Sequence, residues 1–459
     1  MRTRTTLLGC LLATAVAMAQ VPASPVAGAW EGTLDAMGTK LRIGVAITAS
    51  PDGSLQATMD SPDQGAFGLP LNDVTFTGGV LKFALARAKG TFEGTVNDAG
   101  TEIKGTWTQM VPLPLVLKRV EKLSRPNRPQ EPTPPYPYRT EDVRVPNPAG
   151  GSVLAGTLTL PPGAGPFPAA VLITGSGAQN RDEEIMGHKP FLVLADHLTR
   201  RGIAILRYDD RGVGKSTGSF ATATTEDFAG DALAVWQALR ARPEIDPARV
   251  GLIGHSEGGL IAPMLASRNP AIAFIVLLAG PGVPGDEIMV RQSTSVLKAS
   301  GAPDEMVTAN IALQRQAFAI LREEDDTARI TERLNAVTVP GGPEAKARFL
   351  QQMQTPWLRF FARYDPAPAL AKVACPVLGV WGTLDSQVEP VQNLPPAEAA
   401  LKRGGNRDAT LMRLPGLNHL LQTATTGLPA EYARIEETMS PSALGLIANW
   451  IRARTGLAK

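Results

Sequence analysis

Five largely apolar runs, at 169–174, 203–209, 250–255, 273–280 and 377–382, recur through the later part of this chain. A strand that is apolar on both faces has to be covered on both, which is the signature of a parallel sheet held between layers of helices. Helical stretches occupy the gaps that parallel crossovers need. From Thr225 to Arg242, for example, Phe228, Leu233, Val235, Trp236 and Leu239 recur at helical spacing until Pro243 ends the run. Between about 284 and 373 no such apolar run occurs, only amphipathic stretches such as Met306–Arg322, so this interval is expected to form a helical cap inserted between two strands.

The amino-terminal part follows a different period. Over 27–119, short alternating runs such as LRIGVAIT, LQATMD and VLKFALA are separated by turn residues including Asp52, Gly53, Gly78 and Gly79. This predicts an antiparallel β domain of about eight strands, a small barrel or sandwich. A Gly-Thr step recurs at Gly32, Gly94 and Gly105, and glycine inside a strand suits a bend or a close approach of backbones. Residues 120–139 carry six prolines and little apolar content, as expected of an extended connector. The chain beyond it, 140–459, would be the second domain.

Residues 1–19 read as an export signal, with Arg2 and Arg4 ahead of an apolar run from Leu7 to Ala19 and small residues at Ala17 and Ala19. A lipoprotein signal at Cys10 is the rival, but there the apolar stretch would end at the cysteine, and here it continues. The run is also shorter than the roughly 20 residues that a membrane anchor needs. Cleavage would leave 43 basic and 43 acidic residues, a neutral balance that argues against a nucleic-acid partner. It would also leave Cys375 alone, so that a periplasmic or extracellular protein would rely on its core, without an internal disulfide.

Two segments fit G-x-S-x-G: Gly254-His255-Ser256-Glu257-Gly258 and Gly214-Lys215-Ser216-Thr217-Gly218. Ser256 stands between a strand-like run and a helix-like stretch, Glu257–Arg268, the context of a turn that lifts a serine hydroxyl clear of the backbone. Ser216 runs on into a loop. The same region resembles the end of a phosphate-binding loop, but the first glycine of that pattern would be Asp209, which brings a like charge to the phosphate instead. A serine hydroxyl needs a base. Of four histidines, His188 and His197 precede the nucleophile, His255 is expected to point to the other side of the turn, and His419 follows the strand-like run 409–414. The carboxylate that orients the imidazole should lie between Ser256 and His419. Asp385, just past the run 377–382, is better placed than Asp365, Glu389 or Asp408. Two backbone donors for a developing oxyanion are expected at Glu257 and at Ser176, with Gly177 in reserve, in the Gly175-Ser176-Gly177 loop.

The segments LITGSGAQNRDE, LADHLTRRGIAILRYDDRGVGKSTG, GLIGHSEGGLIAPM, CPVLGVWGTLDSQV and PGLNHLLQ together resemble the α/β-hydrolase superfamily, in particular its serine aminopeptidase and lysophospholipase-like branch of exported bacterial hydrolases. The resemblance spans about 150–455 and implies an α/β-hydrolase fold, an acyl hydrolase working without a cofactor or metal, and a structural role for the turn around Ser216. The branch contains esterases, thioesterases and peptidases, so the substrate could be a small ester or a peptide. Carboxylic esters are the leading expectation. An aminopeptidase would need a carboxylate for the substrate's amino terminus, and Glu257 or an acidic residue of the cap is the candidate.

Overall fold

The structure, a computed structural model, describes residues 24–36 and 38–457; the expected export signal lies outside them. The chain divides into two units, the first ending at Arg125 and the second beginning at Pro126.

The first unit is one antiparallel sheet. Its strands are β1 (Gly28–Ala36), β2 (Thr39–Ala49), β3 (Leu55–Ser61), β4 (Ala66–Pro70), β5 (Asn72–Thr77), β6 (Val80–Leu85), β7 (Gly90–Val96), β8 (Glu102–Thr108) and β9 (Pro112–Val120), in the order β4-β3-β2-β1-β9-β8-β7-β6-β5. Nine strands form where about eight were expected. The two edge strands, β4 and β5, are separated only by Leu71, whose amide donates to the Ala57 carbonyl of β3 at 2.9 Å, so the sheet rolls around a core that includes Trp30, Leu81, Ile103 and Leu117. The strand glycines are steric necessities. Gly94 and Gly105 face each other across β7 and β8, and a Cβ on Gly105 would lie 2.4 Å from the Glu93 carbonyl oxygen.

The second unit is built on an eight-stranded sheet made of β10 (Arg139–Asn147), β11 (Ser152–Leu160), β12 (Phe167–Ile173), β13 (Ala204–Tyr208), β14 (Ile245–His255), β15 (Ile275–Leu278), β16 (Val377–Gly382) and β17 (Ala409–Leu414). The order is β10-β11-β13-β12-β14-β15-β16-β17; β11 pairs antiparallel with both β10 and β13, and the other pairs are parallel. Helices α1 (Pro190–Thr199), α2 (Thr225–Arg240) and α3 (Gly258–Ala266) follow β12, β13 and β14. Strand alternation feeds two cores. Val171 and Ile173 pack with Trp236 and Leu260 on one face, and Ala170 and Leu172 pack with Phe191 and Trp450 on the other. Burying each such side chain contributes roughly 1.5–3 kcal/mol.

Six helices, α4 (Gly285–Ala299), α5 (Asp304–Glu323), α6 (Thr327–Ala336), α7 (Gly342–Met353), α8 (Pro356–Arg363) and α9 (Ala367–Leu370), lie between β15 and β16; the first five share a small core around Phe318, Leu321, Leu334 and Leu358, and Leu370 of α9 packs into the core of the main sheet. Three more, α10 (Pro390–Arg403), α11 (Pro429–Tyr432) and α12 (Pro441–Arg454), complete the unit. Among the described residues no helix is long and apolar enough to cross a membrane.

The proline-rich stretch differs from a free connector. Arg128 donates to the carbonyls of Ile435 (2.7 Å), Ala433 (3.0 Å) and Gly187 (3.1 Å), and the Gln130 side chain bonds the backbone of Thr438 and Met439. Proline stiffens this segment, and the arginine finds carbonyl groups that the second unit leaves open, so residues 126–138 belong to that unit.

Candidate active site

β14 ends at His255, Ser256 turns with φ +52°, and α3 begins at Gly258. A non-glycine residue in the left-handed region costs energy and persists where its surroundings require it. Here they do. A Cβ on Gly254 would lie 1.9 Å from the Gly258 carbonyl oxygen, and one on Gly258 would lie 2.1 Å from that of Ile173, so only glycines at both positions let strand and helix meet across one residue. The Ser256 amide donates to Leu278 of the neighbouring strand at 2.8 Å.

His419 lies in the loop after β17, with Nδ1 2.8 Å from Asp385 Oδ2, and both residues are buried. Asp385 follows β16, and its Oδ1 accepts the amides of Gln387 and Val388. The other carboxylates weighed for this place are engaged elsewhere: Glu389 with Arg291 and Ser295, Asp408 with Arg454, and Asp365 with the Ala367 amide. Ser256 and His419 both line a cavity of about 300 Å³ together with Gly175, Ser176, Met289 and Phe361.

Ser216 stands in a closed turn. Its hydroxyl donates to the Asp209 carbonyl at 2.7 Å and accepts the Ala155 amide at 2.9 Å, while the Asp209 carboxylate is held by Arg181 and the Lys215 amide. The ends of β11 and β13 are tied together by these bonds, which account for the second G-x-S-x-G segment.

Two expectations are corrected by side-chain geometry. His255 does not point away from Ser256. It lines the same cavity, its Nε2 is 3.0 Å from the His419 carbonyl oxygen, and the two imidazole centroids are 4.7 Å apart. Its Nδ1 is 2.9 Å from Glu183 Oε1, which also accepts the Gly175 amide at 2.7 Å. Burial presses the His255 pKa down most strongly, and the Glu183 carboxylate, the His419 carbonyl and Asp385 together outweigh it, leaving the net shift upward. Glu257 likewise does not offer its carboxylate to the cavity. It is 2% exposed and accepts bonds from Thr225 Oγ1 (2.7 Å) and Trp357 Nε1 (2.9 Å). Burial raises its pKa despite these donors. Ser176 stands at the cavity.

Glu183, Thr225 and Trp357 were missed by sequence reasoning. Glu183 is one of three consecutive acidic residues, Asp182, Glu183 and Glu184, and no periodicity separates it from its neighbours. His188, set aside on chain order, is a buried structural group bonded to Tyr432 and Thr438, its pKa pushed down to about 4 by burial. Among the described residues no cluster of three or more His, Cys, Asp or Glu side chains is arranged to hold a metal ion.

The chain matches the family model described as serine aminopeptidase, S33, over residues 189–424, an interval that contains Ser256, Asp385 and His419. It is 27% identical over 319 residues to esterase EstD of Thermotoga maritima, covering 69% of this chain and 68% of that one. Similar solved structures include a Pyrococcus furiosus esterase (14% identity, TM-score 0.44, covering 73% of this chain and 99% of that one) and a hypothetical protein of Pseudomonas aeruginosa (16%, TM-score 0.45, 72% and 98%).

Proposed function

We propose, on the premise that this chain belongs to the serine aminopeptidase S33 family of α/β-hydrolases, that it is an exported serine hydrolase cleaving small carboxylic esters through an acyl-enzyme intermediate. The observation that carries this reading is the position of Ser256, turned out at φ +52° into a cavity shared with a histidine whose other nitrogen is bonded to a buried aspartate.

In this reading Ser256 Oγ attacks the ester carbonyl carbon as His419 Nε2 takes its proton. Asp385 holds the Nδ1–H tautomer and stabilises the imidazolium that forms. The negative charge arising on the carbonyl oxygen is met by the amide of Glu257 and an amide of the Ser176-Gly177 loop, each such donor contributing about 10²–10³ in rate. The protonated His419 gives its proton to the leaving alcohol. Water activated by the same imidazole then attacks the acyl carbon and releases the acid.

An ester is favoured over a peptide with a free amino terminus because of Glu257. A peptidase would use a free carboxylate to hold the substrate's ammonium group, whereas the carboxylate nearest Ser256 in sequence is buried and occupied by two donors, Thr225 and Trp357. Ile288, Met289, Phe361 and Leu420 line the cavity, and its volume of about 300 Å³ suits a short acyl chain. A thioester of the same acyl group is the second substrate class the triad could serve.

The test is labelling with a fluorophosphonate probe, followed by turnover of p-nitrophenyl acetate, butyrate and palmitate and of alanine p-nitroanilide. Labelling lost in Ser256→Ala, with the short esters turned over fastest, is the expected result. A protein that retained the label after that substitution, or that cleaved only the anilide, would overturn the reading.

A further inference from the structure

Glu183 and His255 take no direct part in the chemistry proposed above, yet both are buried beside it, at 0% and 5% exposure. The Glu183 backbone adopts φ +51°, a left-handed conformation that a side chain does not favour, in the loop between β12 and α1. That conformation directs its carboxylate to two partners at once, the Gly175 amide at 2.7 Å and His255 Nδ1 at 2.9 Å, both through Oε1. On the other side of the imidazole, His255 Nε2 meets the backbone oxygen of His419 at 3.0 Å. The site is tight. A Cβ on Gly175 would lie 3.1 Å from the Ser256 Cβ, 3.4 Å from Glu183 Oε1 and 3.5 Å from His255 Nδ1.

The chemistry of these contacts is restrictive. An ionised carboxylate and a backbone carbonyl oxygen are both acceptors, so with Glu183 ionised both His255 nitrogens must carry protons for the two bonds to exist together. Glu183 Oε2 is buried with no protein partner, a costly arrangement for an ionised carboxylate unless a fixed cation lies next to it. Beside an ionised Glu183, a neutral His255 could satisfy only one of its two neighbours. The groups facing the ring are Glu183 from the loop after β12, His419 from the loop after β17 and, beyond His419, Asp385 from the loop after β16.

We infer that Glu183 and His255 are positioning residues, a buried carboxylate–imidazolium clasp that fixes the backbone of His419 and the Gly175-Ser176 loop in register around Ser256. His419 is then held twice, its ring by Asp385 and its backbone by His255. The Gly175 amide, tied to Glu183, is not one of the oxyanion donors but sets the path of the chain that supplies one. The inference rests on the reading of Ser256 and His419 as the reacting pair.

Glutamine at 183 separates this role from a merely structural one. Its oxygen can keep the Gly175 amide and accept His255 Nδ1–H, but without the negative charge His255 becomes neutral and its bare Nε2 faces the His419 carbonyl. The Glu183→Gln and His255→Gln proteins are compared with wild type by kcat and KM on p-nitrophenyl butyrate, with active sites counted by complete phosphonate labelling and folding followed by melting temperature. The expected result is complete but slower labelling, kcat per labelled site lowered about 10- to 100-fold and KM within about twofold, since small misplacement of reacting groups acts on the chemical step. Values of kcat per labelled site within about twofold of wild type in both variants would overturn the clasp. Should either variant fail to fold, ¹⁵N-histidine spectra of the wild-type protein, which has only four histidines, decide the matter. Both ring nitrogens of His255 are expected to be protonated at pH 8, and a singly protonated ring would refute the inference. A wild-type protein that the phosphonate never labels would refute the reading of Ser256 instead, leaving the spectra to decide the clasp.

Discussion

Asp385 Oδ2 stands 2.8 Å from His419 Nδ1, while the other oxygen of the same carboxylate accepts the amides of Gln387 at 2.8 Å and Val388 at 2.9 Å. One side chain therefore closes its own loop and holds the histidine of another. This division makes the outcome of Asp385→Asn specific. The asparagine oxygen keeps the two amides, so the nitrogen is turned toward His419 and donates to Nδ1, forcing the proton to Nε2, where it cannot accept from Ser256. A fall in kcat of about 10⁴ with little change in melting temperature is expected. Near-normal turnover on p-nitrophenyl butyrate would remove Asp385 from the triad.

Ser216→Ala is expected to leave phosphonate labelling complete and to lower stability. The hydroxyl donates to Asp209 and accepts the Ala155 amide, and its loss leaves a part-buried donor and acceptor unpaired, at about 1–3 kcal/mol in total. Urea denaturation read alongside labelling checks both statements. A variant that is stable but unlabelled would reverse the assignment of the two serines.

Trp357→Phe removes a donor to the Glu257 carboxylate without removing the ring that stacks on Phe361. The folded-state pKa of Glu257 is already raised, chiefly by burial, so its contribution to stability is present at low pH and declines as pH rises from the usual glutamate value through the folded one. Losing a bond to the charged form raises that pKa further and extends the decline to higher pH. The melting temperature of the variant should thus fall below wild type by more at pH 9 than at pH 5. An equal deficit at both would mean that Glu257 stays neutral throughout.

Limited digestion with a nonspecific protease is expected to cut first within 121–126, where one unit ends and the other begins, and to spare 128–138. Proline alone would leave the whole stretch open. The bonds from Arg128 and Gln130 to Ala433, Ile435 and Met439 are what withdraw its second half from attack. Amino-terminal sequencing of the first large fragment locates the cut, and early cleavage after Pro132 or Thr133 would show that these bonds do not hold the segment.

Much of the fold is legible in the residues because the signals are local. Runs such as Ile275–Leu278 are apolar at every position, and a strand of that kind has to be covered on both faces wherever it lies in the chain. The turn at Ser256 is legible for a similar reason, since glycines at 254 and 258 and the switch from strand to helix are all within a few residues. The strand glycines of the first unit also carry their own explanation.

The amino-acid order by itself determined the two kinds of sheet, the parallel crossovers and the one serine set on a strand-to-helix turn, because each depends on period and on sterics between near neighbours. Only the tertiary structure decided the direction of His255, the occupation of Glu257 by Thr225 and Trp357, and the selection of Glu183 from three adjacent acids. Those outcomes depend on partners 72, 32, 100 and 8 residues away in the chain, brought within hydrogen-bond distance by strand order and by the inserted helices. A side chain's identity shows what it can donate or accept, and only the packed neighbours determine which of those bonds are made.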